Sequence, residues 1–188
     1  MEQDDQKLVE KTLSGDREAF EHIVNRHLKG VYNFVYRTTG GQEESSDITQ
    51  EVFVKIWKNL KHYKPTYNFK TWAFTIAHNT TIDWFRKRKN IPFSTLDTEG
   101  SFFEDTISGD DILPDELFAR EESKKILSQV LSHLSPEPRA IIILHDVEDM
   151  TFEEIAVVLG KPMNTVKSTY RRSLSALKAK LKNAPNNG

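Results

Sequence analysis

The chain has 188 residues, 37% hydrophobic and 29% charged, with a formal net charge of −2, which suits one domain or two small ones around a modest core. Cysteine is absent, so disulfides and thiol catalysis are excluded, and the composition fits a reducing cytoplasm, the expected location. No apolar run is long enough to span a membrane and the acidic opening MEQDDQKLVE has no apolar stretch, so neither membrane insertion nor a secretory leader is expected.

The first clear element is a helix from Arg17, with Asp16 placed to cap it. Ala19, Phe20, Ile23, Val24, His27 or Leu28, Val31, Tyr32 and Val35 recur at helical period, and Gly40-Gly41 ends it. A second helix is expected from Ser46, with Ile48, Val52, Phe53, Ile56, Trp57 and Leu60 on one face. Residues 61–68 contain Pro65 and read as a loop. A third helix over 69–89 has the apolar set Trp72, Ala73, Ile76, Ala77, Thr80 and Trp84. It joins Lys70, His78, Asn79 and the run Arg86-Lys-Arg-Lys to Phe69, Phe74 and Phe85. Aromatic faces stack on unpaired bases and cations follow phosphates, although Trp72, Ile76 and Trp84 fit a core better than a ligand surface.

Residues 91–120 lose periodicity and read as an unpacked tether. Residues 91–122 hold ten acids against the single base Arg120, whereas residues 161–188 hold seven bases and no acid. The small net charge therefore hides two basic faces separated by an acidic spacer. Helical pattern returns with Leu117, Ile126, Leu127, Val130, Leu131 and Leu134, and the pair Pro136 and Pro138 breaks it. A strongly apolar helix over 139–147 follows. Its Ile141-Ile-Ile-Leu144 core would also suit a buried strand, but nothing else in the chain would pair with one. Residues 183–188 are expected to fray.

The sharpest local signal lies over 151–181. Thr151-Phe-Glu-Glu154 is a capping box. With Phe152 as position 1, Ala156 falls at 5, Gly160 at 9 and Val166 at 15. A helix-turn-helix needs a small residue, a glycine of positive φ and an aliphatic at those places. Pro162 stops the first helix from running on. The second helix, from about Asn164, carries Thr165, Lys167, Ser168, Arg171 and Arg172, which suit base edges and phosphates in a major groove. The plainer alternative is a helical hairpin whose basic face is only solvated.

Searches for other chemistry fail. His22, His27, His62, His78, His133 and His145 lie singly, without metal-site spacing, and there is no nucleotide-binding glycine loop or nucleophile elbow. No metal, cofactor, catalytic residue or small-molecule substrate is expected. Asp47 and Glu51 share a helix face, where an acidic partner-facing patch is expected rather than acid–base chemistry.

Asp16-Arg-Glu-Ala-Phe20, Asp47-Ile-Thr-Gln-Glu-Val-Phe-Val-Lys-Ile-Trp57, Phe69-Lys-Thr-Trp72, Ile76-Ala-His-Asn79 and Asp83 together resemble region 2 of the extracytoplasmic-function (ECF) sigma factors of the sigma-70 family. Leu134-Ser-Pro-Glu-Pro-Arg139, Thr151-Phe-Glu-Glu-Ile-Ala156 and Asn164-Thr-Val-Lys-Ser168 resemble region 4. His78, where the family usually has another residue, and Met163-Asn164 depart from the pattern. The resemblance implies an all-α fold of two small helical domains joined by a flexible acidic linker, the second containing the helix-turn-helix. It implies a region 2 domain at 1–92, a linker at 93–120 and a region 4 domain at 121–183.

The implied function is transcription initiation: binding core RNA polymerase and directing it to promoter DNA through the −10 and −35 elements, with no bond made by the chain. The resemblance assigns −35 contacts to Thr165, Lys167, Ser168, Arg171 and Arg172. It assigns −10 contacts to Lys61, His62, Tyr67, Asn68, Lys70, Asn79, Arg86 and Lys87, and core polymerase contacts to Asp47, Gln50, Glu51 and Phe53. It adds an anti-sigma factor to the expected partners. Two other readings stand beside it: a helix-turn-helix regulator that works without polymerase, and a helical enzyme built on Asp47 and Glu51. The first leaves the 47–57 helix unexplained, and the second lacks a nucleophile and a metal set.

Overall fold

A computed structural model describes residues 2–40, 43–89, 131 and 134–182. Among these the chain forms seven α-helices and no strand. They are α1 (Glu2–Leu13), α2 (Arg17–Thr39), α3 (Ser45–Asn59), α4 (Phe69–Lys89), α5 (Pro136–Ile142), α6 (Phe152–Leu159) and α7 (Met163–Lys182). A 3-10 turn occupies Leu60–His62, and a π turn, Ile143–Val147, continues α5. The expected linker at 93–120, the helical pattern over 117–130 and the frayed end at 183–188 lie outside the described residues.

Helices α2, α3 and α4 pack around one core. Asp16 caps α2 by accepting from the Ala19 backbone N–H at 3.2 Å, and Gly40 ends it with φ +83°, which a residue with a Cβ adopts only under strain. Ile23, Val31, Phe34, Val35, Val52, Ile56, Phe69, Phe74 and Ala77 are buried. Phe34 meets Phe74 edge to face at 5.5 Å. The expected apolar stripe is only partly inward: Leu28 and Tyr32 on α2, and Trp57 on α3, are exposed. Trp57 instead lies edge-on to Phe20 at 4.7 Å on the surface. A stripe wider than the core can cover leaves its flank in water.

Helix α1 has no counterpart in the periodicity reading. It packs on α2 through Val9, which is buried, and through Asp5, which pairs with Arg26 and lies 3.0 Å from His27 Nε2. Burial pushes the Asp5 carboxyl up, but His27 and Arg26 outweigh it and hold it below the usual carboxylate range. The attachment is largely polar, so hydrophobic spacing does not announce it.

The second half holds a new helix after a break at 134–135, and it starts earlier than the expected 139: Pro136 opens α5 at the first positions after the cap Ser135. Proline is tolerated there because the first helical N–H groups have no intrahelical acceptor. Ala140, Ile141, Ile142, Ile143 and Leu144 are all buried, as helix and π turn rather than strand. They pack with Ile155, Val158, Val166, Leu174 and Leu177 from α6 and α7.

The two halves touch. Helix α4 packs on α6, and α2 on α5. The contact is polar at its edges. Arg139, at the start of α5, donates to the Thr38 carbonyl in the last turn of α2 at 2.8 Å and to the Leu134 carbonyl at 2.8 Å. Glu148 sits against Gly30 so closely that a Cβ there would lie 2.9 Å from its Oε2.

Candidate nucleic-acid interface

The helix-turn-helix forms as its spacing predicts. Thr151 Oγ1 accepts from the Glu154 backbone N–H at 3.2 Å, and Glu154 Oε2 accepts from the Thr151 backbone N–H at 2.8 Å, so both arms of the capping box are present. Gly160 turns the chain with φ +63°. Val166 is buried, Ala156 half-buried, and α7 starts at Met163, one residue before the expected Asn164.

Helix α7 has two faces. Val166, Tyr170, Leu174 and Leu177 are buried; Ser168, Arg171 and Arg172 are exposed, with Thr165 and Lys167 half-buried. Lys167 Nζ lies 5.7 Å over the Phe152 ring, a cation–π placement that holds its stem against the first helix. Thus Ser168, Arg171 and Arg172 project from the face opposite the core, and Lys167 flanks them.

Tyr170 is a positioning residue that the sequence reading missed. Its hydroxyl donates to Asp146 Oδ1 at 2.7 Å, and burial together with that carboxylate pushes its proton loss up. Its ring stacks on His145 at 4.7 Å and meets Phe152 edge to face at 5.2 Å. This cluster ties α7 to the π turn and fixes the rotation of its exposed face. Its spacing four residues after Val166 was the available signal.

In the first half, the loop after α3 exposes Lys61, His62 and Tyr67, and α4 exposes Asn79, Arg86 and Lys87. Asn68 and Lys70 differ: both are half-buried and already engaged. Asn68 caps α4, accepting from the Thr71 backbone N–H at 2.7 Å, while its amide donates to Glu154 Oε1 at 2.6 Å. Thr71 Oγ1 donates to the same oxygen at 3.4 Å. Lys70 donates to the Glu148 carbonyl and lies 3.7 Å from Glu148 Oε2. Tyr63, Phe69 and Trp72 form an aromatic group beneath the loop, with centroids 5.3–5.5 Å apart. Phe69 is buried and Trp72 half-buried, so these two are largely framework.

Electrostatics follow from these contacts. Burial pushes the Glu154 carboxyl up, but hydrogen bonds from Thr151, Asn68 and Thr71 outweigh it and hold the group below its ordinary value. Burial dominates at Glu148 and raises it despite Lys70 and Arg37. His78, which departs from the family's pattern, is buried on α4. Burial, with Lys161 nearby, lowers its ring to about 4, so it is neutral.

On α3, Asp47, Gln50 and Glu51 are exposed. Glu51 bonds to Lys55 at 2.8 Å, which draws its carboxyl down. Phe53 is 8% exposed and lines an open groove with Val24, Leu28, Tyr32, Ser46, Thr49 and Gln50. Asp47 and Glu51 therefore stand on an open helix face beside an apolar groove, not in a closed catalytic pocket. No group of three or more potential metal ligands occurs among the described residues, and no described helix is long and apolar enough to cross a membrane.

A helix-turn-helix with a basic outer face, joined to a helical unit with an aromatic and basic fourth helix, defines a DNA-reading protein built in two parts. The sigma-70 region 2 model matches residues 23–91 and the sigma-70 region 4 model matches residues 124–177. The ECF RNA polymerase sigma factor SigW of Bacillus subtilis (strain 168) is 32% identical over 181 residues, 94% of this chain and 96% of that protein. The ECF RNA polymerase sigma-E factor of Escherichia coli (strain K12) is 30% identical, with 94% of each chain covered. Among solved structures, CnrH in complex with the cytosolic domain of CnrY superposes with a TM-score of 0.70 at 25% identity, covering 96% of this chain and 99% of that one. The sigma factor RpoE in complex with the anti-sigma factor NepR from Bartonella quintana shares the fold, with a TM-score of 0.66 over 87% of this chain and 96% of that one at 23% identity. The chain belongs to the sigma-70 family, as an ECF RNA polymerase sigma factor. It is a transcription initiation factor that directs polymerase to promoters, in a family of non-enzymatic transcription factors.

Proposed function

We propose that the chain divides its work between residues 1–92 and residues 121–183, with residues 93–120 as the acidic link. Thr165, Lys167, Ser168, Arg171 and Arg172 contact the −35 element in the major groove. Lys61, His62, Tyr67, Asn68, Lys70, Asn79, Arg86 and Lys87 contact the opened −10 element. Asp47, Gln50 and Glu51 form the contact with core polymerase, and Phe53 supplies the apolar floor beside them. The observation that carries this reading is the division of α7 into a fully buried face and an exposed face bearing Ser168, Arg171 and Arg172, the geometry that a recognition helix requires.

The chain acts in the cytoplasm, without a cofactor. An anti-sigma factor is a fitting partner: the sigma factor RpoE, which shares this fold, was solved with the anti-sigma factor NepR. Run-off transcription from a genomic library, with reconstituted polymerase and this chain, tests the assignment. Promoters sharing two spaced elements are the expected yield, and loss of preference at the upstream element in an Arg171→Ala variant links α7 to it. Unchanged preference would remove α7 from that role.

A further inference from the structure

Two helix N-termini from opposite halves of the chain meet on one carboxylate. Asn68 caps α4, and Thr151 with Glu154 caps α6. Glu154 Oε1 then accepts from Asn68 Nδ2 at 2.6 Å and from Thr71 Oγ1 at 3.4 Å. Both helix N-termini carry partial positive charge, so an anion between them is favoured from both sides. Glu148 makes a second such joint: Lys70 donates to its carbonyl and faces its carboxylate, which rests against Gly30 of α2.

These two acids occupy Asn68, Thr71 and Lys70 much as phosphate oxygens of a nucleic-acid strand would. All three are hydrogen-bond donors, and both acceptors are anionic carboxylates or the carbonyl beside one. We propose that Glu148 and Glu154 form an intramolecular latch that closes the chain on itself and masks the strand-binding donors at the start of α4, without any partner chain. A single-stranded nucleic acid and the helix-turn-helix half then compete for the same groups. This rests on the assignment of Asn68 and Lys70 to the −10 strand made above.

The geometry explains Gly30. It lies inside α2, where glycine weakens a helix, yet any side chain there would press on Glu148 Oε2. The missing side chain leaves room for the latch.

The test uses the full chain, whose lack of native cysteine allows labelling at two introduced cysteines, Lys58→Cys on α3 and Asn164→Cys on α7. Pulsed dipolar distances between spin labels there should give one short population for the labelled native chain. In Glu148→Gln combined with Glu154→Gln, a long-distance population should appear, while glutamine at 154 retains the capping box. Gly30→Asp, which sets a second anion against Glu148 from outside the caps, should open the chain in the same way with helix content preserved. Affinity for random-sequence single-stranded DNA should rise about tenfold or more in both, because masking lowers apparent affinity by the fraction open. Short distances persisting in both variants, or long distances dominating the native chain, would overturn the latch. Opening without tighter strand binding would overturn the masking, and with it the assignment of Asn68 and Lys70.

Discussion

The Arg139 guanidinium donates to the Thr38 carbonyl at 2.8 Å across 101 residues of sequence. Thr38 lies in the last turn of α2, where carbonyls lack intrahelical donors and the helix end carries partial negative charge. A cation from the other half therefore completes the C-terminus of α2. Its second donor holds the Leu134 carbonyl. Burial draws the guanidinium's proton affinity down, but not far enough for it to become neutral.

Arg139→Ala should destabilise the chain by about 2–4 kcal/mol, because it removes two charge-assisted bonds and leaves buried carbonyls without them. Urea unfolding followed by circular dichroism measures this. A loss below about 0.5 kcal/mol would mean that water replaces Arg139 at no cost.

His78 should make the closed chain acid-sensitive. Its ring is lowered to about 4 in the folded state from an ordinary 6.5, so the unfolded chain takes the proton first as pH falls. Stability from the neutral ring is complete above pH 6.5 and drains away towards pH 4, by about 3 kcal/mol in all. Glu148 works with the opposite sign: its raised carboxyl is relieved as pH falls. The informative quantity is thus the difference between the native chain and His78→Gln. The native chain should lose more stability between pH 7 and 5; parallel curves would refute the buried neutral ring.

Arg171→Ala should reduce transcription from cognate promoters about tenfold or more at limiting protein, since bidentate recognition of guanine is worth roughly 1–3 kcal/mol. Preference at one or two −35 positions should relax while helix content stays constant. Lys178→Ala, two turns further along, should weaken binding slightly and evenly. Equal behaviour of the two would contradict the orientation of α7.

Glu51→Lys should weaken association with core polymerase while leaving the fold intact. Exposed charge changes usually shift stability by no more than about 0.5 kcal/mol, and Glu51 is exposed and bonded to Lys55. Size-exclusion co-elution with core polymerase reads the effect. Normal co-elution would leave α3 as solvated surface.

Much of this architecture was legible in the residues. Asp16, Gly40, Thr151 and Gly160 mark helix ends by local chemistry, and the helix-turn-helix followed from three positions. Three things were not legible. Helix α1 is held by Asp5 against Arg26 and His27, and polar tertiary contacts leave no periodic trace. The start of α5 at Pro136, ahead of the expected 139, is legible only once Ser135 is known to be its cap. The contact between the halves uses Asn68, Lys70, Glu148 and Glu154, whose local sequence points to a helix cap, DNA contacts or open surface rather than to one another. Only folding brings them within bonding distance. The same holds for His78, a polar ring that the tertiary fold buries.

The shared use of Glu154 also bears on time. Its Oε2 stays with Thr151 whether or not Oε1 holds Asn68 and Thr71, so of the bonds to Glu154 withdrawal of α6 breaks the outward arms alone and leaves both helices capped. Separation also breaks the bonds from Arg139 to Thr38 and from Lys70 to Glu148, but it leaves both helix caps in place. Exchange between the joined and parted arrangements should run in the microsecond-to-millisecond range of rigid-body motions, fast enough for the parted state to be captured during a single encounter with polymerase.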